Sequence, residues 1–229
     1  MSHHVETRDI RREYDSILAL DRVSIAAHLG QVTTIVGVNG SGKTTLLKIM
    51  TGLIPPSGGD LTINGIDVVD HPLDLKRILG YLPEESHLYE TMTVRSYLTF
   101  FGEIYGMGRE AIRERTARLL STLSLDAGQK KLGELSKGMK RKVAIARSLL
   151  HDPAVLIYDA PSSGLDPMTS RTIIEFLKEL RSQGKTIIFS AHNLYQVEEV
   201  CDRVMILRRG KEVAFGSIPE LREMFGSIT

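Results

Sequence analysis

Residues 37–45 read GVNGSGKTT, preceded by QVTTIV at 31–36 and continued by LLKIM at 46–50. The stretch supplies a glycine, four free positions, a glycine, a lysine and a hydroxyl residue. It lies where that pattern needs to lie, between an apolar β-branched run and a helical one. It reads as a phosphate cradle made by Gly37, Asn39, Gly40, Ser41, Gly42, Lys43, Thr44 and Thr45. The three glycines let the backbone turn several N–H groups toward one anion, and the N-terminus of the following helix adds positive potential. Lys43 would reach the β- and γ-phosphates of a nucleoside triphosphate, with the Thr44 hydroxyl as a Mg²⁺ ligand.

Downstream, AVLIYD at 154–159 is an apolar strand that ends in a carboxylate. Asp159 is expected beside the cradle, holding Mg²⁺ directly or through water. An aspartate at a strand end also serves as a helix cap or turn former, so the pairing of the two motifs, not Asp159 alone, points to a nucleoside triphosphatase.

Around these motifs, short β-rich runs alternate with longer helical ones, the pattern of an α/β domain with a mostly parallel sheet flanked by helices. Strands are expected at 23–27, 31–36, 61–63, 154–158, 186–190, 203–207 and 212–215, with a helix over 168–182. Asn64-Gly65 and Arg209-Gly210 read as hairpin turns. The early strands suggest an antiparallel β part near the N-terminus. Between 92 and 150, three segments carry apolar residues at helical spacing and suggest an inserted helical subdomain. We therefore expect a single domain over 1–229, with a P-loop NTPase core in 1–88 and 151–229 and the helical subdomain in 89–150.

Composition sets further bounds. With 229 residues, 42% of them hydrophobic, the chain can bury roughly 70 to 75% of its unfolded surface without disulfides or metals. One cysteine, Cys201, cannot form an internal disulfide, so the cytosol is the expected compartment and the thiol reads as a small packed residue. Lys plus Arg number 29 against 28 Asp plus Glu, a net charge of +1, which argues against a broad nucleic-acid-binding face. The cationic run Lys137, Lys140, Arg141, Lys142 is read as one side of an amphipathic helix whose VAIA segment faces the core. No stretch approaches the roughly 18 apolar residues of a membrane helix, and residues 1–15 hold no apolar signal core.

The remaining motifs carry a family resemblance. LSKGM at 135–139, then AVLIYD, then APSSGLDP at 160–167, then FSAHN at 189–193, in that order, resemble the ATP-binding cassette (ABC) family, the nucleotide-binding subunits of membrane transporters, over nearly the whole chain. The resemblance implies that Tyr14 stacks on adenine, although a tyrosine there also fits an edge-packing role. It implies that Ser136 and Gly138 belong to the signature that contacts the γ-phosphate held by an opposite subunit. Asp166 would lie in the loop crossing that interface, and His192 would contact the γ-phosphate. Two cassettes, identical or different, would stack head to tail around two ATP molecules and couple to a separate transmembrane permease. The chain would then sit on the cytoplasmic face of the membrane. Permease contact is expected in a groove near Tyr81–Glu85, and SHLYETM at 86–92 reads either as a docking surface or as a solvated loop. The LSKGM and YLPEE variants resemble exporter branches.

Four positions depart from the commonest family pattern. Ala160 stands where that pattern has the glutamate that polarises the attacking water. A methyl group cannot accept a proton, and losing a general base costs on the order of 10² to 10⁴ in rate. Mg-ATP binding should survive while turnover at the chain's own site is impaired. Ala160 fits an alanine introduced to trap ATP, a degenerate natural partner of an intact subunit, or a regulatory module that closes on ATP without turning over. Glu84 replaces the usual glutamine of the coupling loop and could reach Mg²⁺ or its waters, or act on the water itself. Lys137 and Met139 replace glycine and glutamine of the signature, and Lys137 reads either as a charge near phosphate or as a solvated helix-start residue.

Overall fold

The computed structural model describes residues 4–191 and 194–226. In chain order its elements begin with β1 (Val5–Tyr14), β2 (Ile17–Ala27), β3 (Val32–Val36), α1 (Lys43–Met50), β4 (Gly58–Ile63) and β5 (Ile66–Asp67). They continue with α2 (Pro72–Ile78), β6 (Leu79–Leu82), α3 (Val94–Ile104), α4 (Arg109–Thr122), a short 3₁₀ turn (Leu132–Glu134), α5 (Lys137–Leu149) and β7 (Val155–Tyr158). Last come α6 (Pro167–Ser182), β8 (Thr186–Ala191), α7 (Leu194–Val200), β9 (Arg203–Arg208), β10 (Lys211–Gly216) and α8 (Ile218–Phe225).

Two sheets result. An antiparallel one runs β2-β1-β4-β5, and a six-stranded one runs β10-β9-β3-β8-β7-β6. In the larger sheet every pairing from β9 to β6 is parallel, and only β10 runs antiparallel, against β9. The parallel strands β3, β7 and β8 are buried along their whole length, as expected for a sheet covered on both faces. Their side chains alternate between two cores. Val32, Val36, Leu156, Tyr158, Ile187 and Phe189 join α5 and α6 on one face. Ile35, Val155, Ile157 and Ile188, with Met205 of β9, join α1 and the antiparallel sheet on the other.

The expected strands and turns are present. Asn64 and Gly65, both at positive φ (51° and 76°), close the β4–β5 hairpin, and Arg209 and Gly210 (50° and 74°) close β9–β10. The link from β6 to β7 is filled by α3, α4 and α5, whose apolar stripes meet through Val94, Tyr97, Leu98, Leu119, Leu120 and Val143. Elements beyond the sequence reading are β1, β5, α2, β6, α7 and α8.

Parallel pairing fixes the functional edge. Val36 aligns with Ala191, Tyr158 with Phe189 and Leu82 with Tyr158. The loops leaving β3, β6 and β7 therefore open at the same carboxyl edge of the sheet, the general ligand edge of open α/β sheets.

Candidate nucleotide site

Between β3 and α1 the backbone is shaped by glycine in two distinct ways. At Gly37 a Cβ would collide with the Leu207 carbonyl and the Ser41 side chain. At Gly42, φ is +107°, and a Cβ would come within 2.8 Å of the Ala19 carbonyl. Gly42 caps α1 with no side-chain hydrogen bond, and the first helical bond is Leu46 N–H to Gly42 O at 2.9 Å. The N–H groups of Lys43, Thr44 and Thr45 thus precede the intrahelical ladder and point out of the helix start. Gly210 N–H donates to Ser41 O at 2.9 Å and Asp21 N–H to Gly210 O at 2.8 Å, so the β9–β10 turn buttresses the loop.

Lys43 is buried, and its ammonium donates to the Gly37 and Val38 carbonyls at 2.8 and 3.0 Å. Burial lowers its pKa, while the charges of Asp159 and Glu84 pull it back upward. Both carboxylates are therefore close enough to act on the cradle lysine. Asp159, at the end of β7, is buried; its Oδ1 accepts from the Ser190 hydroxyl at 2.5 Å, and its N–H donates to Leu82 O at 2.8 Å. Asp159 Oδ2 and Ser41 Oγ are buried without a partner among the described residues. Buried oxygens without partners are costly, and each is a natural acceptor or ligand position. Together with the half-buried Thr44 at the start of α1, they are hard oxygen donors of the kind that suit Mg²⁺, which keeps most of its waters and takes few protein ligands.

The cleft over the cradle holds about 410 Å³ and is lined by Ile17, Leu18 and Ala19, the segment Gly40 to Thr45, and the Arg209-Gly210 turn. Sequence reading missed Ile17, Leu18 and Arg209 as lining residues. Arg209-Gly210 was legible as a turn, but nothing local tied it to the cradle. Tyr14 pairs with Ile17 across the β1–β2 turn and is 40% exposed. Tyr14 is not among the residues that line the cleft. The Arg12 guanidinium lies 4.4 Å from the ring centroid.

Ser136, Gly138 and Asp166 are away from this cleft. Exposed Ser136 caps α5, its Oγ accepting from Met139 N–H at 3.3 Å. Exposed Asp166 caps α6 by accepting from Thr169 N–H at 2.9 Å, and Thr169 hydrogen bonds lower its pKa. Gly138 faces Thr169, where an added Cβ would stand at 3.1 Å. The two helix starts are therefore neighbours, separate from the chain's own cradle. Lys137 packs over Gly164 and lines a pocket of about 380 Å³ with Glu84, Lys140 and Ser163. His192 lies outside the described residues. Cys201 is half-buried, and burial pushes its thiol up to about 11.

Two side chains differ from expectation or exceed it. Ala160 is 4% exposed and sits at φ +43°, its N–H donating to Ser190 Oγ at 2.8 Å. Arg141, grouped in sequence with solvated cations, is instead buried at 6% exposure. Carbonyl groups of two loops surround its guanidinium and satisfy it, which is why it leaves the surface while Lys137 stays exposed and Lys140 pairs with Glu90 at 2.9 Å. The 86–92 stretch is mixed. His87, Tyr89 and Glu90 are exposed, whereas Leu88 and Met92 pack on the core.

Fold, cradle and flanking helix starts together define a nucleotide-binding cassette. The profile of the family described as ABC transporter matches residues 20–163. The chain is 38% identical over 209 residues to the ABC transporter ATP-binding protein NatA of Bacillus subtilis, covering 90% of this chain and 85% of that protein. It is 34% identical to the Nod factor export ATP-binding protein I of Burkholderia orbicola, covering 93% and 70%. A solved ATP-binding subunit of an ABC transporter matches with TM-score 0.89 and 32% identity over 97% of this chain and 93% of that one. A dimeric post-hydrolysis state of an ATP-binding cassette bound to ADP and Pi matches with TM-score 0.86 and 27% identity over 93% and 98%. The chain belongs to the ABC transporter family as an ATP-binding subunit, with relatives that form cassette dimers and are generally ATPases. Among the described residues no helix is long and apolar enough to cross a membrane.

Proposed function

We propose that this chain binds Mg-ATP in the cleft over Gly37–Thr45 and closes head to tail on a second cassette, its Ser136 and Gly138 meeting the γ-phosphate held by that partner. The observation that carries the reading is the buried Lys43, which donates to the Gly37 and Val38 carbonyls, in a chain where Ser41 Oγ and Asp159 Oδ2 are also buried and have no partner among the described residues. Thr44 and Asp159 would hold Mg²⁺, with Glu84 reaching its waters; the ion when bound supplies charge neutralisation on the phosphates. The exposed Tyr14 takes the adenine ring. Asp166, at the start of α6, stands where the loop crosses to the partner, and His192 is assigned to the γ-phosphate.

Closure depends on contacts made by a γ-phosphate to both subunits, so hydrolysis shifts the population toward open dimers. A separate permease converts that motion into transport, with the chain peripheral on the cytoplasmic face. The motif variants at 81–85 and 135–139 and the export function named for one relative favour the export direction. Permease contact is assigned to the groove near Tyr81–Glu85, where Glu84, Glu85, Ser86 and His87 line a pocket of about 380 Å³. A second groove of about 430 Å³ between core and inserted helices is lined by Tyr105, Met107, Arg115 and His151 and by none of residues 81–92. Residues 1–229 act as one nucleotide-binding domain, with 89–150 as the helical subdomain.

Ala160 removes the usual base, so the chain's own site turns over slowly and an intact partner supplies the faster one. The same observation favours a second reading, a regulatory module that closes on ATP without efficient turnover. Measuring Mg-ATP affinity for the parent and Lys43→Ala tests the core of the proposal. A loss of at least about 100-fold is expected from removing a buried charge on the phosphates. Unchanged affinity in a folded variant would refute the assigned cradle.

A further inference from the structure

Arg141 joins parts of the molecule that the sequence keeps far apart. On the side of the loop after β6, its Nη1 donates to the Pro83 carbonyl, to Glu84 O at 3.0 Å and to Ser86 Oγ at 3.2 Å. On the side of the loop after β7, Nη2 donates to Asp159 O at 2.7 Å and Ala160 O at 2.9 Å, and Nε to Pro161 O at 2.9 Å. One guanidinium therefore serves six acceptors in two loops. The side chain that carries it stands on α5, the helix capped by Ser136.

The chemistry requires arginine. A guanidinium spreads five N–H donors in a plane and can face two loops at once, whereas lysine offers three donors from one point. Burial pulls the group's pKa down to about 10, with the charges of Asp159 and Glu84 among those opposing the fall, so it stays cationic at neutral pH. Ala160 is held from both sides, its carbonyl by Arg141 and its N–H by Ser190 Oγ. That double grip explains how a non-glycine residue keeps a left-handed backbone at the end of β7.

We propose that Arg141 is a positioning residue that locks the coupling loop (83–86) and the loop after β7 (159–161) to the start of α5. A shift in either loop at the chain's own nucleotide is thereby passed to Ser136, which faces the nucleotide of the opposite subunit. This rests on the head-to-tail cassette reading for its consequence, but the lock itself is a property of the single chain.

Hydrogen exchange on the full chain, read by mass spectrometry, separates the two. Without nucleotide, Arg141→Lys should speed exchange about tenfold in peptides covering both 83–86 and 159–163, while 43–50 exchanges as in the parent. Loosening of one loop alone, or uniform loosening of the whole chain, would overturn the proposal. Ser86→Ala, which removes one acceptor and leaves the core intact, is the fold-safe variant. It should loosen 83–86 and, more weakly, 159–163, and an unchanged second loop would count against the lock.

With Mg-ATP added, the parent should show slowed exchange at 136–141. Compared at nucleotide concentrations that saturate each protein, because Arg141 bonds the Asp159 and Glu84 carbonyls, Arg141→Lys should lose at least half of that slowing. A full parental response in the variant would refute transmission through Arg141. A parent that binds no Mg-ATP would end the cassette reading, and the nucleotide-free exchange data would still decide the lock.

Discussion

Restoring a carboxylate at position 160 is the most informative single change. Ala160 is buried at the end of β7, beside Asp159, with its backbone at φ +43°. A left-handed backbone costs a non-glycine residue about 1 to 2 kcal/mol. Alanine already bears that cost, so glutamate adds little backbone strain. The added side chain brings a second negative charge near Asp159, offset by the Lys43 and Arg141 cations. We expect a loss of about 1 kcal/mol, or a melting midpoint lower by about 2 to 4 °C. Against this small loss, a positioned general base contributes about 10² to 10⁴ in rate, roughly 2.7 to 5.5 kcal/mol of barrier. Phosphate release from saturating Mg-ATP, measured for the parent and Ala160→Glu with equal nucleotide affinity, should rise at least about 100-fold. A gain below about tenfold in a folded, ATP-binding variant would show that Ala160 is not what limits turnover.

Other outcomes follow from the same geometry. Gly42→Ala places a Cβ 2.8 Å from Ala19 O and Leu20 Cδ2 at φ +107°, and should cost at least about 2 kcal/mol in a thermal melt. Gly40→Ala, also at positive φ but with open space around it, should cost clearly less; equal losses would contradict the close-approach account. Asp159→Asn should weaken Mg-ATP about tenfold or more while leaving metal-free ATP binding little changed, as titration calorimetry would read. His151 stacks on Tyr105 with centroids 3.8 Å apart and bonds to Leu79 O, and burial lowers its pKa below 6.5. The native state then takes up its proton at lower pH than the unfolded chain, so the contribution to stability is full above 6.5 and lost as pH falls through the depressed value. Urea midpoints should fall on acidification, and His151→Phe should flatten that trend; a parental slope in the variant would refute it.

The cradle was readable because its geometry is set within nine consecutive residues and its strand and helix are the neighbours on either side. β7 was readable because a strand buried on both faces is an unbroken apolar run. β1 was not, since VETRDIRREY buries only Val5, Thr7 and Ile10, and register shifts against β2 between Thr7 and Ile10, with Asp9 at φ 50°, break its alternation. β6 escaped because four residues, LGYL, are too few to show a period. Arg141 was misread for a different reason. A cation in a cationic run looks solvated unless the acceptors that bury it are known, and Pro83 and Ala160 come to it only through the tertiary fold. For the same reason Ser136 and Gly138 could be matched to a motif, while their adjacency to α6 through Thr169 became visible only in three dimensions.

The six-stranded sheet works as a partition wall. The helix that follows the glycine cradle, α1, grows into one core, and the helix that carries Ser136 is anchored in the other. Packing changes on one side have no side chains to push on the other and must travel around through the strand ends. Each compartment can therefore drift in sequence with little effect on its neighbour, and substitutions that alter both nucleotide grip and partner contact should concentrate at the carboxyl rim rather than in either interior.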